Sequence, residues 1–121
     1  LEDAKKIVAN GAKYYIEVSN MPTTADALNY LMDQKVLIVA PSKAVNAGGV
    51  CVSGLEMSQN SQRLSWTAEE VEAKLHQAMI NIHKHSVEAA ERYGLGYNLV
   101  AGANIAGFEK VADAMLAQGI Y

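Results

Sequence analysis

Apolar positions recur along this chain with two different periods, and the changes between them divide it into elements. Val36-Leu37-Ile38-Val39-Ala40 is an unbroken apolar run that stops at Pro41, the pattern of a buried parallel strand. Tyr14-Tyr15-Ile16-Glu17-Val18 is β-branched and aromatic and is closed by Ser19-Asn20-Met21-Pro22, which predicts another strand. Between them Leu28, Leu31 and Met32 give a helix with one apolar edge. Thr23, with Asp26 three residues later, is placed to cap it as an acidic form of the capping box. Strand, helix, strand at this spacing predicts a right-handed, parallel βαβ unit. Ahead of it, Ala4, Ile7 and Val8 share a helical face, and Gly11 stands where that helix would end. The opening reads as the last turns of a helix, so the chain is expected to be a fragment, with the rest of the sheet upstream of Leu1.

After Pro41 the pattern changes. A loop is expected to end in Asn46-Ala47-Gly48-Gly49, followed by a helical segment over Val50–Leu64. Adjacent glycines permit close backbone approach to a ligand. A helix N-terminus behind them suits an anion, and open α/β sheets bind ligands beyond the carboxyl ends of their strands. Ser53, Glu56, Ser58, Gln59, Asn60, Gln62 and Arg63 put polar groups around most of this helix. A solvated helix is one reading of that pattern. Burial in an interior that is itself polar, such as a cleft, is the sharper one, and the glycines and the preceding strand favour it.

Thr67 opens a long helix. Thr67 and Glu70 make a Thr-x-x-Glu capping box, and Trp66 and Val71 occupy the two positions of a hydrophobic staple. Val71, Leu75, Ala78, Ile82, Ala89 and Tyr93 continue a helical stripe to Gly94, about 40 Å of helix at 1.5 Å per residue. The last segment, Asn98–Tyr121, begins with small residues over Val100–Gly107, which allow close helix contact. It goes on with an apolar face at Phe108, Val111, Ala112 and Met115, ended by Gly119.

Composition narrows the classes of function. The 121 residues are enough for one core, and a net charge of −3 argues against a nucleic-acid or anionic-membrane surface. No apolar run approaches a bilayer span, and no signal-peptide pattern is seen. The single cysteine, Cys51, has no internal partner, reads as a small core-filling residue, and fits a reducing cytoplasm. His76, His83 and His85 lack a companion ligand at a familiar metal spacing, so they read as solvated and no metal site is expected.

Four stretches resemble the hexameric bacterial glutamate dehydrogenases: Asn20-Met21-Pro22-Thr23-Thr24, Ala40 to Val50 (APSKAVNAGGV), Ser53 to Asn60 (SGLEMSQN), and Gly102 to Phe108 (GANIAGF). The likeness covers nearly the whole chain and corresponds to the C-terminal portion of such an enzyme. It implies an α/β fold: a partial Rossmann-like dinucleotide-binding domain with about two parallel strands over 1–64. Long C-terminal helices over 65–121 would lead back toward the substrate domain, in a helix-dominated fragment. The implied activity is oxidative deamination of L-glutamate to 2-oxoglutarate and ammonia, with hydride transfer to NAD or NADP, in a cytoplasmic homohexamer.

By the same resemblance Asn20 and Asn46 are cofactor-binding, Val50 and Ser53 are substrate-binding, and Gly48 and Gly49 form a close-approach loop. Ser53 would donate to the side-chain carboxylate, from a place in the first turn of its helix. Val18-Ser19 stand where the family usually has small residues ahead of Asn-Met-Pro, and a local change in packing is expected there. No catalytic residue is expected in this chain: the family's lysine and aspartate lie in its N-terminal domain, and no G-x-G-x-x-G turn is present. The alternatives are a dehydrogenase for another amino acid, or a non-catalytic assembly or binding module. A hydroxyl at Ser53 speaks for a carboxylate-bearing substrate.

Overall fold

The computed structural model describes residues 1–35 and 37–119. The elements are α1 (Glu2–Ala9), β1 (Tyr14–Ile16), α2 (Ala25–Met32), β2 (Ile38–Ala40), α3 (Ser42–Val45), α4 (Ala47–Gln62), α5 (Ala68–Arg92) and α6 (Leu99–Gln118). Val36, the first residue of the predicted apolar strand, and Tyr121, the last of the predicted final segment, lie outside the described residues.

β1 and β2 pair in parallel, with Tyr14 opposite Ile38, Tyr15 opposite Val39 and Ile16 opposite Ala40. Because side chains alternate across a strand, Tyr15 and Val39 share one face and Tyr14, Ile16 and Ile38 share the other. The first face is the covered one. Val39 and Leu37 pack with Leu31 and Ala27 of α2 and Ala4 of α1, and Tyr15 and Val100 close over them. Leu31 is fully buried there, which contributes about 1.5–3 kcal/mol for such a side chain. The second face is open, with Tyr14 and Ile16 more than half exposed. On α1, Lys5 donates to Glu2 at 2.7 Å. That bond holds the Glu2 carboxyl below its usual range and raises the Lys5 amine.

Thr23 does not cap α2. The N-cap is Thr24, without a side-chain bond, and the Thr23 hydroxyl pairs instead with the Tyr15 hydroxyl at 2.9 Å. A tertiary partner from the neighbouring strand has taken the group that the local pattern assigned to the helix. The Thr67 cap of α5 forms in both directions: Glu70 N donates to Thr67 Oγ1 at 3.2 Å, and Thr67 N donates to Glu70 Oε2 at 2.8 Å.

α5 and α6 pack along each other after a turn in which Gly94 and Gly96 adopt φ of 71° and 61°. At Gly102 a side chain is excluded: a Cβ there would sit 1.9 Å from the Ser86 carbonyl oxygen. Ser86, Ala89 and Ala90 are buried against this crossing. The small residues that open α6 therefore bring two backbones together. The apolar face further along α6 is uncovered, with Phe108 and Val111 more than half exposed. Among the described residues, no helix is long and apolar enough to cross a membrane.

Candidate functional site

Parallel pairing sends both strands out of the sheet at the same end, so the residues after β1 meet those after β2. Glu17 continues the ladder, its N–H donating to the Ala40 carbonyl at 3.0 Å. The chain then turns sharply through Ser19-Asn20-Met21, with Met21 in the left-handed region at φ 47°. On the other side Pro41 leads into α3, and Asn46 closes it. At the meeting point Asn46 Nδ2 donates to Asn20 Oδ1 at 2.7 Å. Beneath them Ser42 N donates to the buried Glu17 carboxylate at 3.0 Å.

A depression of about 580 Å³ opens over this junction, lined by Asn20, Asn46, Gly49, Val50 and Ser53 together with Val18 and Ser19. Five of the six residues singled out in the sequence therefore share one concavity. They come from the turn after β1, the end of α3 and the first two turns of α4, and Val50 projects from it as an exposed apolar side chain. None of the lining side chains carries a charge. This wall can offer hydroxyl and amide hydrogen bonds and the apolar side chains of Val18 and Val50, but no counter-charge to an anion.

Three expectations need correction. Gly48 and Gly49 are not in a loop: Ser42–Val45 is already helical, and both glycines belong to the first turn of α4, which starts at Ala47. Their roles also differ. A Cβ on Gly48 would stand 3.3 Å from Leu75 Cδ1 and from Met79 Sδ of α5, whereas one on Gly49 would meet nothing within 4 Å. Gly48 is a packing position and Gly49 faces the depression. Second, because α4 starts at Ala47, Ser53 lies in its second turn. The dipole and the unpaired N–H groups act over the first turn, so the Ser53 hydroxyl has to act by its own hydrogen bond. Third, α4 is not sunk into an interior. None of its residues is buried, Cys51 is only half-buried, and the helix forms one side of an open wall.

His76, His83 and His85 are exposed on α5, and His83 Nε2 lies 2.6 Å from the Tyr97 hydroxyl. Among the described residues no three His, Cys, Asp or Glu side chains converge on a metal position.

A sequence model of the Glutamate/Leucine/Phenylalanine/Valine dehydrogenase family matches residues 1–119. The chain belongs to this dehydrogenase family. It is 76% identical over 120 residues to the NAD-specific glutamate dehydrogenase of Clostridium symbiosum, covering 99% of this chain and 27% of that protein. It is 53% identical to the NADP-specific glutamate dehydrogenase of Haemophilus influenzae, across 100% of this chain and 27% of that protein. A solved glutamate dehydrogenase structure superposes with a TM-score of 0.95 at 76% identity, over 99% of this chain and 27% of that one. The chain thus spans about 27% of the length of these dehydrogenases.

Within this dehydrogenase chain, reading the sequence missed two features of the site. One is α3, too short to show a period. The other is Glu17, whose only signal was an acidic residue in an otherwise apolar strand pattern.

Proposed function

We infer that the chain is the C-terminal part of a glutamate dehydrogenase. The whole protein oxidatively deaminates L-glutamate to 2-oxoglutarate and ammonia and passes a hydride to NAD or NADP, in a cytoplasmic homohexamer. Residues 1–64 belong to the later half of a Rossmann-like dinucleotide-binding domain, and α5 and α6, within the segment 65–121, lead back toward the substrate domain. The observation that carries this reading is the convergence of Asn20, Asn46, Gly49, Val50 and Ser53 on one depression beyond the carboxyl ends of two parallel strands.

The chemistry of the wall fits its assigned ligands. The Asn46–Asn20 bond uses one amide donor and one acceptor, which leaves the Asn20 amide N–H and the Asn46 carbonyl oxygen for a carboxamide such as that of nicotinamide. Gly49 has open space where a Cβ would stand, so a flat ring can approach the backbone. When bound, the nicotinamide supplies the hydride acceptor. Ser53 donates to the side-chain carboxylate of glutamate, Val50 packs against its methylenes, and Asn20 with Asn46 orients the reacting partners. The counter-charge absent from this wall comes from residues outside the chain. The gain is one of proximity and exclusion of water.

The test is an assay of the whole protein with NAD or NADP and glutamate, leucine or phenylalanine. Glutamate is expected to be preferred by at least about a hundredfold in kcat/KM, because a site built to bond a polar group rejects substrates that lack it. A preference for leucine or phenylalanine would remove the glutamate assignment and leave the family.

A further inference from the structure

Glu17 is a carboxylate for which the glutamate dehydrogenase reading has no task. It is only 6% exposed, and a buried carboxylate persists only where it is hydrogen-bonded. Its partners lie on both sides of Pro41. Its N–H donates to the Ala40 carbonyl at the end of β2, and its Oε2 accepts from the Ser42 N–H that opens α3. Three residues beyond Glu17 stands Asn20, and the residue that closes α3 is Asn46. The Asn46–Asn20 bond is therefore the outer rung of a small ladder whose inner rung is Glu17–Ser42. The outer rung is reached by solvent, and water competes for such a bond. The inner rung is shielded.

The geometry points to Glu17 as the positioning residue of the site: its bond to Ser42 N–H fixes the separation of Asn20 and Asn46, and with it the place where nicotinamide meets the amino-acid Cα. This rests on the glutamate dehydrogenase reading. Glu17 touches neither substrate nor cofactor; it acts through the two asparagines.

The test uses the whole protein, with glutamate and with glutamate deuterated at Cα. Glu17→Ala is expected to lower kcat about tenfold, since misalignment of reacting atoms is costly. It is also expected to raise the deuterium isotope effect on kcat above the parent's, because hydride transfer, once slowed, limits a larger share of turnover. Glu17→Gln keeps an acceptor oxygen for Ser42 and is expected to stay within about threefold of the parent. Ser42→Pro removes the donor instead. Proline is tolerated at a first helical position, and Pro41 already has the extended ψ of 148° that a residue before proline requires. It is expected to reproduce the Glu17→Ala isotope effect.

A parental isotope effect in Glu17→Ala, or a kcat loss matched by an equal loss of coenzyme-binding sites, would overturn the proposal. If Glu17→Ala does not fold, Ser42→Pro and Glu17→Gln decide by the same readings. An unsubstituted protein without glutamate turnover would overturn the underlying reading and this inference with it. An active parent with an indifferent Glu17→Ala would overturn the inference alone.

Discussion

Gly48 and Gly49 are neighbours with opposite surroundings, and at the scale of single residues that difference can be tested. Alanine at Gly48 would press on Leu75 Cδ1 and Met79 Sδ, the far ends of two flexible side chains. The expected cost is within about 1 kcal/mol, with turnover near the parent's. Alanine at Gly49 meets no atom of the chain and should raise stability by about 0.5–1 kcal/mol, as for glycine in a helix. Its methyl group takes space from the depression that Gly49 lines, so kcat/KM of the whole protein should fall by about tenfold or more. Thermal unfolding and steady-state kinetics on both variants check this. An active Gly49→Ala would show that the ligand does not approach that backbone.

Helix pairing sets the next scale, and Gly102 and Gly107 in α6 make a matched comparison. Alanine at Gly102 would place a methyl carbon 1.9 Å from the Ser86 carbonyl, whereas at Gly107 it would meet nothing within 4 Å. The first must push α5 and α6 apart and should cost about 3 kcal/mol or more; the second should gain about 0.5–1 kcal/mol. Melting temperatures shifted in opposite directions are expected, and a shift of the same sign would mean that the helices cross elsewhere. The same scale shows what could be read from the sequence. The Thr67 cap was legible because all its partners lie within one turn. The Thr23 cap was not, because Tyr15 on a paired strand competes for the hydroxyl. The parallel unit was legible from period, and residue size showed a close helix contact at the start of α6, though not that α5 is the partner. The start of α4 was not: Pro41 and two glycines suggested a loop where α3 and the first turn of α4 form. That error placed Ser53 one turn too early. Five residues lining the depression stand in motifs visible in the sequence, but their convergence was not legible, since Asn20 and Asn46 meet only through the β1–β2 register.

For the molecule as a whole, the open surfaces mark where the remainder of the proposed dehydrogenase would pack. One face of the two-stranded sheet carries exposed Tyr14, Ile16 and Ile38, and α6 carries exposed Phe108, Val111 and Leu116. Apolar area of this kind is normally covered by further structure, in keeping with a chain that spans about 27% of its relatives. The depression is neutral in its lining, so on the proposed function the counter-charges for a dicarboxylic substrate would come from outside these residues. On the proposed function, this wall would contribute selectivity for the side-chain carboxylate through Ser53. The most direct measurement compares kcat/KM for glutamate and for norvaline, which ends in a methyl group, in the whole protein and in its Ser53→Ala variant. The expected result is a roughly 10–100-fold loss with glutamate and a change within about threefold with norvaline. Equal losses with both substrates, or no loss with glutamate, would contradict the placement of the substrate carboxylate at Ser53.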